Sequence, residues 1–217
     1  MSGRKITAKD ASADALETTR LTQAERRETA ERAILEAAMT IVAERGFDAL
    51  TLQEAGEAAG YSRALPGHYF GTKSALLSAL ADHVVAIYNS RIRAAAGPAN
   101  TLEQFCEYIA LSFDDMRRYP ETARAYQSIL AASLHRRELV PIVERLDRAG
   151  IDDLTIAIKL LRDNGEVRAD IRPRVEAYII LASLRGVAFH WLTKPDPVFL
   201  SRMREALTTN IRRSLAP

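Results

Sequence analysis

The chain has 217 residues and a formal net charge of +2, with 47% hydrophobic and 27% charged residues. This balance is typical of a globular protein with a buried core and excludes a disordered or collagen-like chain. Cys106 is the single cysteine, so no disulfide can form within the chain, which is typical of a reducing compartment. The longest apolar run, near residues 177–182, is far shorter than the ~20 residues that span a bilayer. We therefore expect a cytoplasmic protein that does not enter a membrane.

Residues 1–21 mix charged and small polar side chains without an apolar face, which predicts a disordered arm. A first helix is predicted from Thr22, because Thr22 and Glu25 have the spacing of a capping box. Apolar residues then recur at three- and four-residue steps, and Arg45-Gly46 is a typical helix end.

The segment 51–73 predicts two short helices joined by a tight turn. Thr51 and Ser62 each carry a side-chain oxygen suited to an N-cap, so the helices are expected over 52–59 and 62–69, with Gly60 ending the first. Two short helices at a fixed angle form the helix-turn-helix that docks in a DNA major groove.

Charge alone does not indicate a DNA-binding protein. Residues 1–73 contain ten Lys and Arg against eleven Asp and Glu, although a basic surface is the usual expectation. The local pattern is more favourable, because no acidic residue lies between Glu57 and Asp82. The charge pattern therefore supports the helix-turn-helix hypothesis only locally.

The remaining chain predicts six further helices and one clear linker at Gly97-Pro98-Ala99-Asn100. No strand-like alternation and no glycine-rich phosphate loop is present in the sequence. We predict an all-α fold of about nine helices, with a three-helix DNA-binding domain at 22–80 and a larger domain at 81–217. The predicted later helices are 74–96, 101–118, 121–134, 141–164 with a bend or interruption near Gly150, 172–193 and 198–215.

Residues 30–80 resemble the N-terminal domain of the TetR family of transcriptional regulators in one ungapped stretch. The resemblance is carried by AILEAA at 33–38, ERGFDALT at 44–51, AAGYS at 58–62 and HYFGTKSALL at 68–77. It implies an all-α homodimer with a palindromic DNA operator and a C-terminal domain that senses a small-molecule effector. It also implies a repressor that the effector releases from DNA.

The predicted recognition helix departs from the family pattern. Gly67 stands where the family commonly has a tyrosine, which the resemblance implies to be a phosphate contact in other members. Pro66 lies inside the predicted helix. Ala55 and Gly56 replace bulkier or more helix-favouring residues that are usual at those places in the family, so we expect a looser first helix of the pair. An alternative hypothesis is therefore an all-α ligand- or partner-binding protein with weak or lost DNA binding.

Two groups of DNA contacts are expected. One group projects from the recognition helix toward bases or phosphates, because Arg can bind guanine bidentately and Leu can touch a thymine methyl. The other group contacts backbone phosphates, which position a protein without specifying sequence. Tyr61 and Phe70 are expected in the core. The first group is Arg63, Leu65 and His68, and the second is Thr51, Gln53, Tyr69 and Lys73.

The last two predicted helices are apolar over more than one face, which indicates burial on several sides. We expect them to form a four-helix dimer interface, which would place two recognition helices about a two-fold axis. Burial inside a monomer core is the alternative. The expected interface residues are Ser183, Gly186, Val187, Met203, Leu207 and Ile211.

An effector pocket is expected between the helices of residues 80–164, covered by the eighth helix and lined by apolar groups. Its composition predicts a hydrophobic or aromatic ligand, and ordinary core packing is the alternative for each residue. The candidates are Phe105, Tyr108, Ser112, Met116, Tyr126, Leu130, Ile158 and Trp191.

No pattern of a catalytic or metal site is present in the sequence. The four histidines show no paired spacing, and a lone cysteine on an apolar helix face is typical of a core residue. We therefore expect no enzyme activity, no metal and no cofactor.

Overall fold

A computed structural model describes residues 22–95 and 99–217 of the chain. The predicted arm at 1–21, the last residue of the predicted helix 74–96 and the first two residues of the predicted linker, 97–98, lie outside the described residues. All regular structure in the described part is helical, which confirms the all-α prediction. The nine α-helices are α1 (Gln23–Arg45), α2 (Leu52–Ala58), α3 (Leu65–Phe70), α4 (Lys73–Ala95), α5 (Leu102–Arg118), α6 (Pro120–Ser133), α7 (Val140–Asp163), α8 (Pro173–Thr193) and α9 (Pro197–Leu215), with short 3-10 turns at Phe47–Ala49 and Arg137–Leu139.

The start of α1 is fixed by the capping box that the sequence predicts. The Glu25 N–H donates to Thr22 Oγ1 at 3.2 Å, and the Thr22 N–H donates to Glu25 Oε2 at 2.7 Å. These two bonds satisfy backbone donors that have no partner inside the helix. The helix ends at Gly46, whose φ of 80° is easily adopted only by glycine.

The recognition helix α3 begins three residues later than predicted. Ser62 is not its N-cap, because the Leu65 N–H donates to the backbone oxygen of Ser62 and the N-cap position is held by Ala64 without a side-chain bond. Pro66 is therefore the second residue of α3, where a missing N–H removes no intrahelical bond. The proline begins this helix and does not interrupt it.

Gly56 packs α2 tightly against the start of α3. A Cβ at this buried position would lie 2.7 Å from the Ser62 backbone oxygen and 2.9 Å from the Pro66 ring. Only glycine leaves this space free, so the packing of α2 against α3 requires Gly56. Glycine and proline together fix the angle between the two helices.

Two apolar clusters form the interior. The first contains side chains from the four N-terminal helices, α1, α2, α3 and α4, together with residues of α6 and α7 that include Ala125, Ile129 and Leu146. The second joins α5, α7, α8 and α9 around Phe105 and Ile158. The N-terminal helices therefore share one core with α6 and the first half of α7.

Gly150 does not interrupt α7, so the predicted interruption at this residue is wrong. The helix is continuous from Val140 to Asp163, and a Cβ at Gly150 would lie 3.2 Å from a methyl carbon of Leu181 on α8. The glycine is explained by the close approach of two helices, which a linear pattern of turn residues does not reveal.

Helix α8 is apolar over most of its surface. Its length and its mean hydropathy of 1.2 would suit a membrane span, which is weak evidence because core helices pass the same test. One face of α8 packs on α6, α7 and α9. Its opposite face exposes apolar side chains to solvent. Helix α8 therefore covers the core with one face and leaves an apolar surface uncovered on the other.

Candidate functional site

The outer face of α2 and α3 presents polar side chains to solvent. Gln53, Arg63 and His68 are all exposed. The Arg63 guanidinium forms an ion pair with the Glu57 carboxylate of α2. Because a solvated pair of this kind contributes about 0–1 kcal/mol, Arg63 can exchange this partner for another anion.

Other predicted contact residues are partly used by the fold itself. Leu65 and Tyr69 are partly buried against the first apolar cluster, so Leu65 does not project fully into solvent as predicted. The Arg27 guanidinium lies 5.2 Å from the centre of the Tyr69 ring. Thr51 Oγ1 accepts the Glu54 N–H at 3.1 Å, which confirms the predicted cap and leaves the hydroxyl proton free to donate. Tyr61, expected in the core, is 36% exposed.

Lys73 holds the turn between α1 and α2. Its ammonium donates to the Asp48 backbone oxygen at 3.3 Å and lies 4.6 Å from the centre of the Phe47 ring. Partial burial lowers the pKa of Lys73, opposed by the nearby Asp48 carboxylate. Arg136, between α6 and α7, pairs with the same Asp48 carboxylate and faces the same ring at 5.1 Å. This cluster joins the turn between α1 and α2 to the α6–α7 corner.

Gly67 leaves part of the surface of α3 without a side chain. A Cβ at this position would have no heavy atom within 4 Å. Packing therefore does not require a glycine at this position, and the Cβ of a larger residue would lie in open space.

A cavity of about 160 Å³ lies between α4, α5, α6, α7 and α8. Of the eight predicted effector residues, Ser112, Met116 and Tyr126 line it. The other five do not: Phe105, Ile158 and Trp191 are buried in the second apolar cluster, Tyr108 packs against that cluster, and Leu130 is partly buried on α6.

The cavity wall also contains polar residues that were not predicted from the sequence, among them Tyr88, Asp115, Thr122 and Arg185. Tyr88 shares a hydrogen bond of 2.7 Å with the predicted Ser112, and burial raises the pKa of Tyr88. Asp115 and Arg185 are the charged residues in the wall, and Thr122 adds a hydroxyl. Charged residues within the apolar patterns of α5 and α8 are a sequence signal that could have identified Asp115 and Arg185.

Both charged wall residues are paired. The Arg91 Nη2 donates to Asp115 Oδ2 at 2.9 Å. Arg185 Nη1 lies 2.6 Å from Asp147 Oδ1, a close contact without hydrogen-bond alignment, and Arg185 also donates to the Tyr126 hydroxyl. Burial raises the pKa of Tyr126, and the Arg185 charge opposes that shift.

An apolar stripe runs along the outer face of α8. Val175, Tyr178, Ile179 and Phe189 are between 47% and 57% exposed, and their three- to four-residue spacing places them on one face with Gly186. We call these five residues the α8 stripe. Exposed apolar side chains in such a row are typical of a protein–protein contact.

Only part of the predicted dimer interface lies on this surface. Gly186 belongs to the α8 stripe, and Ser183 is partly exposed. Val187, Met203 and Leu207 are partly buried against the protomer's own second cluster. Ile211 is 3% exposed, so it belongs to the protomer core and has no surface to offer a second copy.

Family comparisons agree with this architecture. The family model described as "Bacterial regulatory proteins, tetR family" matches residues 34–80. The model described as "BetI-type transcriptional repressor, C-terminal" matches residues 100–216, more than half of the chain. The chain belongs to the TetR family. It is therefore a DNA-binding transcriptional regulator.

Individual TetR-family proteins match over most of the chain. The HTH-type transcriptional regulator BetI of Cronobacter sakazakii is 24% identical over 190 residues, covering 85% of this chain and 90% of that protein. BetI of Rhizobium meliloti is 26% identical over 131 residues, covering 60% of this chain and 64% of that protein. The crystal structure of a putative TetR-family transcriptional regulator from Rhodococcus sp. has a TM-score of 0.80 at 21% identity, covering 87% of this chain and all of that one.

Proposed function

We propose that this protein is a homodimeric, cytoplasmic repressor that binds a palindromic operator and leaves it when a small apolar effector fills the cavity. The observation that supports this most is the position of α4. Only two residues separate this helix from the end of α3, and farther along it supplies Val84 and Tyr88 to the cavity wall. A ligand that displaces α4 would therefore displace the recognition helix.

The boundary between the two functional parts lies within α4. We assign DNA binding to residues 22–80 and effector sensing and dimerisation to residues 81–217, with 1–21 as an arm. Because the first apolar cluster includes residues of α6 and α7, the two parts share packing contacts. The effector would shift the population toward dimers whose recognition helices are spaced wrongly for the operator.

DNA contact is assigned to the exposed face of α2 and α3. Arg63 and His68 would contact bases or phosphates, with the exposed edge of Leu65 beside them. Thr51, Gln53, Tyr69 and Lys73 would contact backbone phosphates. Because Gly67 has no side chain, the phosphate contact that the family's tyrosine implies is absent. DNA binding therefore depends more heavily on the remaining groups and on the second copy.

Dimerisation is assigned to the α8 stripe, together with the adjoining surface of α9. A second copy related by a two-fold axis would cover each stripe with its equivalent, as self-complementary interfaces require. This contact also explains why a helix as apolar as α8 is left half uncovered in one protomer.

The test is binding of the full-length protein to DNA flanking its own gene, measured by fluorescence anisotropy at low and moderate salt. We expect a saturable complex of one dimer per site that dissociates when an effector found by thermal-shift screening is added. Absence of a complex at low salt would contradict the proposal and favour the ligand-binding alternative. An effector that binds the protein but leaves DNA affinity unchanged would contradict the coupling.

Lys73→Ala tests the phosphate contact separately from the structural role of Lys73. A lost charged hydrogen bond of about 1.5–3 kcal/mol predicts at least tenfold weaker DNA binding. Because the change removes one phosphate contact from each copy of the dimer, the dependence of log K on log salt should also decrease by about 2. The control is Lys159→Ala, at an exposed position on α7. An unchanged salt slope would mean that Lys73 acts only on the Asp48 turn.

A further inference from the structure

The cavity wall carries no net charge. Among the described residues that line it, only Asp115 and Arg185 are charged, and each has its own counter-ion, Arg91 and Asp147. An ionic ligand of either sign would find no unpaired counter-charge, and burying an uncompensated charge is costly. The buried Nε–H of Arg185 has no hydrogen-bond partner among the described residues, so it can donate to a neutral oxygen of the ligand. The electrostatics therefore favour a neutral ligand.

The wall nevertheless has unused hydrogen-bonding capacity. Thr122 is 4% exposed, and its Oγ1 has no hydrogen-bond partner among the described residues. Tyr88 and Ser112 have two hydroxyl protons but share a single hydrogen bond, so one proton is left without an acceptor. Because buried polar groups are normally satisfied, an oxygen atom supplied by the ligand would complete both sites.

The volume restricts the size of the ligand. The cavity measures about 160 Å³. A cavity of roughly 150 Å³ lined by apolar residues holds one benzene molecule in another protein. The space therefore suits one six-membered ring, or an aliphatic group of equal size, with one small substituent.

We propose that the cavity binds a neutral, single-ring-sized molecule bearing one oxygen that bonds Thr122 and the Tyr88–Ser112 pair. This inference rests on the proposed function only in taking the cavity as the effector site. Met116 and the apolar atoms of α4 and α8 would enclose the ring. The oxygen is a hydroxyl or carbonyl group, since both accept a hydrogen bond without carrying charge.

The test uses four ligands that differ little in size: benzyl alcohol, toluene, benzoate and benzylammonium. Binding is measured by calorimetry on the full-length, DNA-free protein at neutral pH. We expect benzyl alcohol to bind most tightly, toluene about tenfold more weakly because it lacks the oxygen, and both ions at least about 100-fold more weakly. Tighter binding of either ion, or no binding of benzyl alcohol, would overturn the inference.

Thr122→Val examines the hydroxyl without changing the shape of the cavity. It should reduce the preference for benzyl alcohol over toluene without abolishing it, because the bond to the Tyr88–Ser112 pair remains, and it should leave toluene affinity unchanged. Thr155→Val is the matched control, because Thr155 is equally buried but its hydroxyl donates to the Ile151 backbone oxygen of its own helix and lies outside the cavity wall.

A second measurement keeps this comparison decisive. Since the Thr122 hydroxyl is buried without a partner, its removal should raise the melting temperature, so a folding defect is not expected. If Thr122→Val retains the full preference for benzyl alcohol over toluene, the assignment of Thr122 is wrong. These measurements contain no DNA, so their failure would leave the repressor proposal standing, and absence of an operator complex would leave the ligand result standing.

Discussion

The surfaces of α3 and α8 are built in opposite ways. Helix α3 is short, and it is held against α2 by Gly56 and Pro66 while it presents polar groups outward. Helix α8 has 21 residues and leaves a row of apolar side chains uncovered. The first arrangement suits a charged partner that needs a fixed angle, and the second suits a partner that buries apolar area. The two surfaces are therefore expected to respond differently to mutation.

The largest effect is expected from Ile179→Glu in the centre of the α8 stripe. The change removes an apolar contact of about 1.5–3 kcal/mol from each copy and brings two like charges together. We expect the dimer dissociation constant to rise at least about 1,000-fold, measured by analytical ultracentrifugation. Leu134→Glu is the control, because Leu134 is 80% exposed but lies outside the stripe. Equal loss in both variants would show that the stripe is not the interface.

Gly56→Ala should have the next largest effect, and it acts on the α2–α3 angle. The added Cβ would clash with the Ser62 backbone oxygen and the Pro66 ring, so we expect a loss of about 1–3 kcal/mol in the free energy of unfolding and much weaker DNA binding. Gly67→Ala is the matched control one helix away, where space is open and a gain of about 0.5–1 kcal/mol is expected. Urea unfolding measures both, and equal stability of the two variants would contradict the packing argument.

Gly67→Tyr should strengthen DNA binding. A Cβ there would have no heavy atom within 4 Å. A phosphate hydrogen bond of about 0.5–1.5 kcal/mol in each copy of the dimer predicts a gain of at least about 5-fold in operator affinity. Gly67→Phe has nearly the same size without the hydroxyl and should gain less. If the tyrosine and phenylalanine variants bind equally, the hydroxyl makes no phosphate contact.

The smallest effect concerns the pH dependence of stability through His83 on α4. Its buried Nε2 has no hydrogen-bond partner among the described residues, and burial lowers the pKa of His83, opposed by the Glu36 carboxylate. The folded-state pKa of His83 is below the ordinary value of 6.5. The contribution of neutral His83 to the free energy of unfolding is therefore fully present above pH 6.5 and is lost as the pH falls from 6.5 through the folded-state pKa.

His83→Gln should therefore flatten the stability profile between about pH 7.5 and about pH 5.5. Thermal melting across this range provides the measurement. His135→Gln, at an exposed position after α6, should keep the parent profile. A parent protein with constant stability over this range would contradict the role of His83.

Local signals allowed much of the fold to be predicted. The capping box at Thr22, the cap at Thr51 and the glycine at Gly60 all lie where the structure has helix boundaries, because each satisfies backbone groups within a few residues. Ser62 misled the prediction because Pro66 can begin a helix, and the start of α3 depends on how that ring packs against Gly56.

The cavity was harder to predict than the helices. Ser112, Met116 and Tyr126 were identified, yet Phe105, Ile158 and Trp191 are equally apolar and lie in the core. Helical periodicity shows which face of a helix is apolar, but it does not show whether another helix fills the adjoining space. Ile211 was placed in the dimer interface for the same reason.

The amino-acid sequence by itself determined the helical class, most helix boundaries and the family, since caps, glycine stops and apolar spacing act over a few residues. The tertiary structure decided which apolar faces meet. It placed Gly56 against Pro66, Arg185 against Asp147 and the α8 stripe at the surface. Such contacts join distant parts of the chain, and the space available at each one depends on the packing of all the helices together.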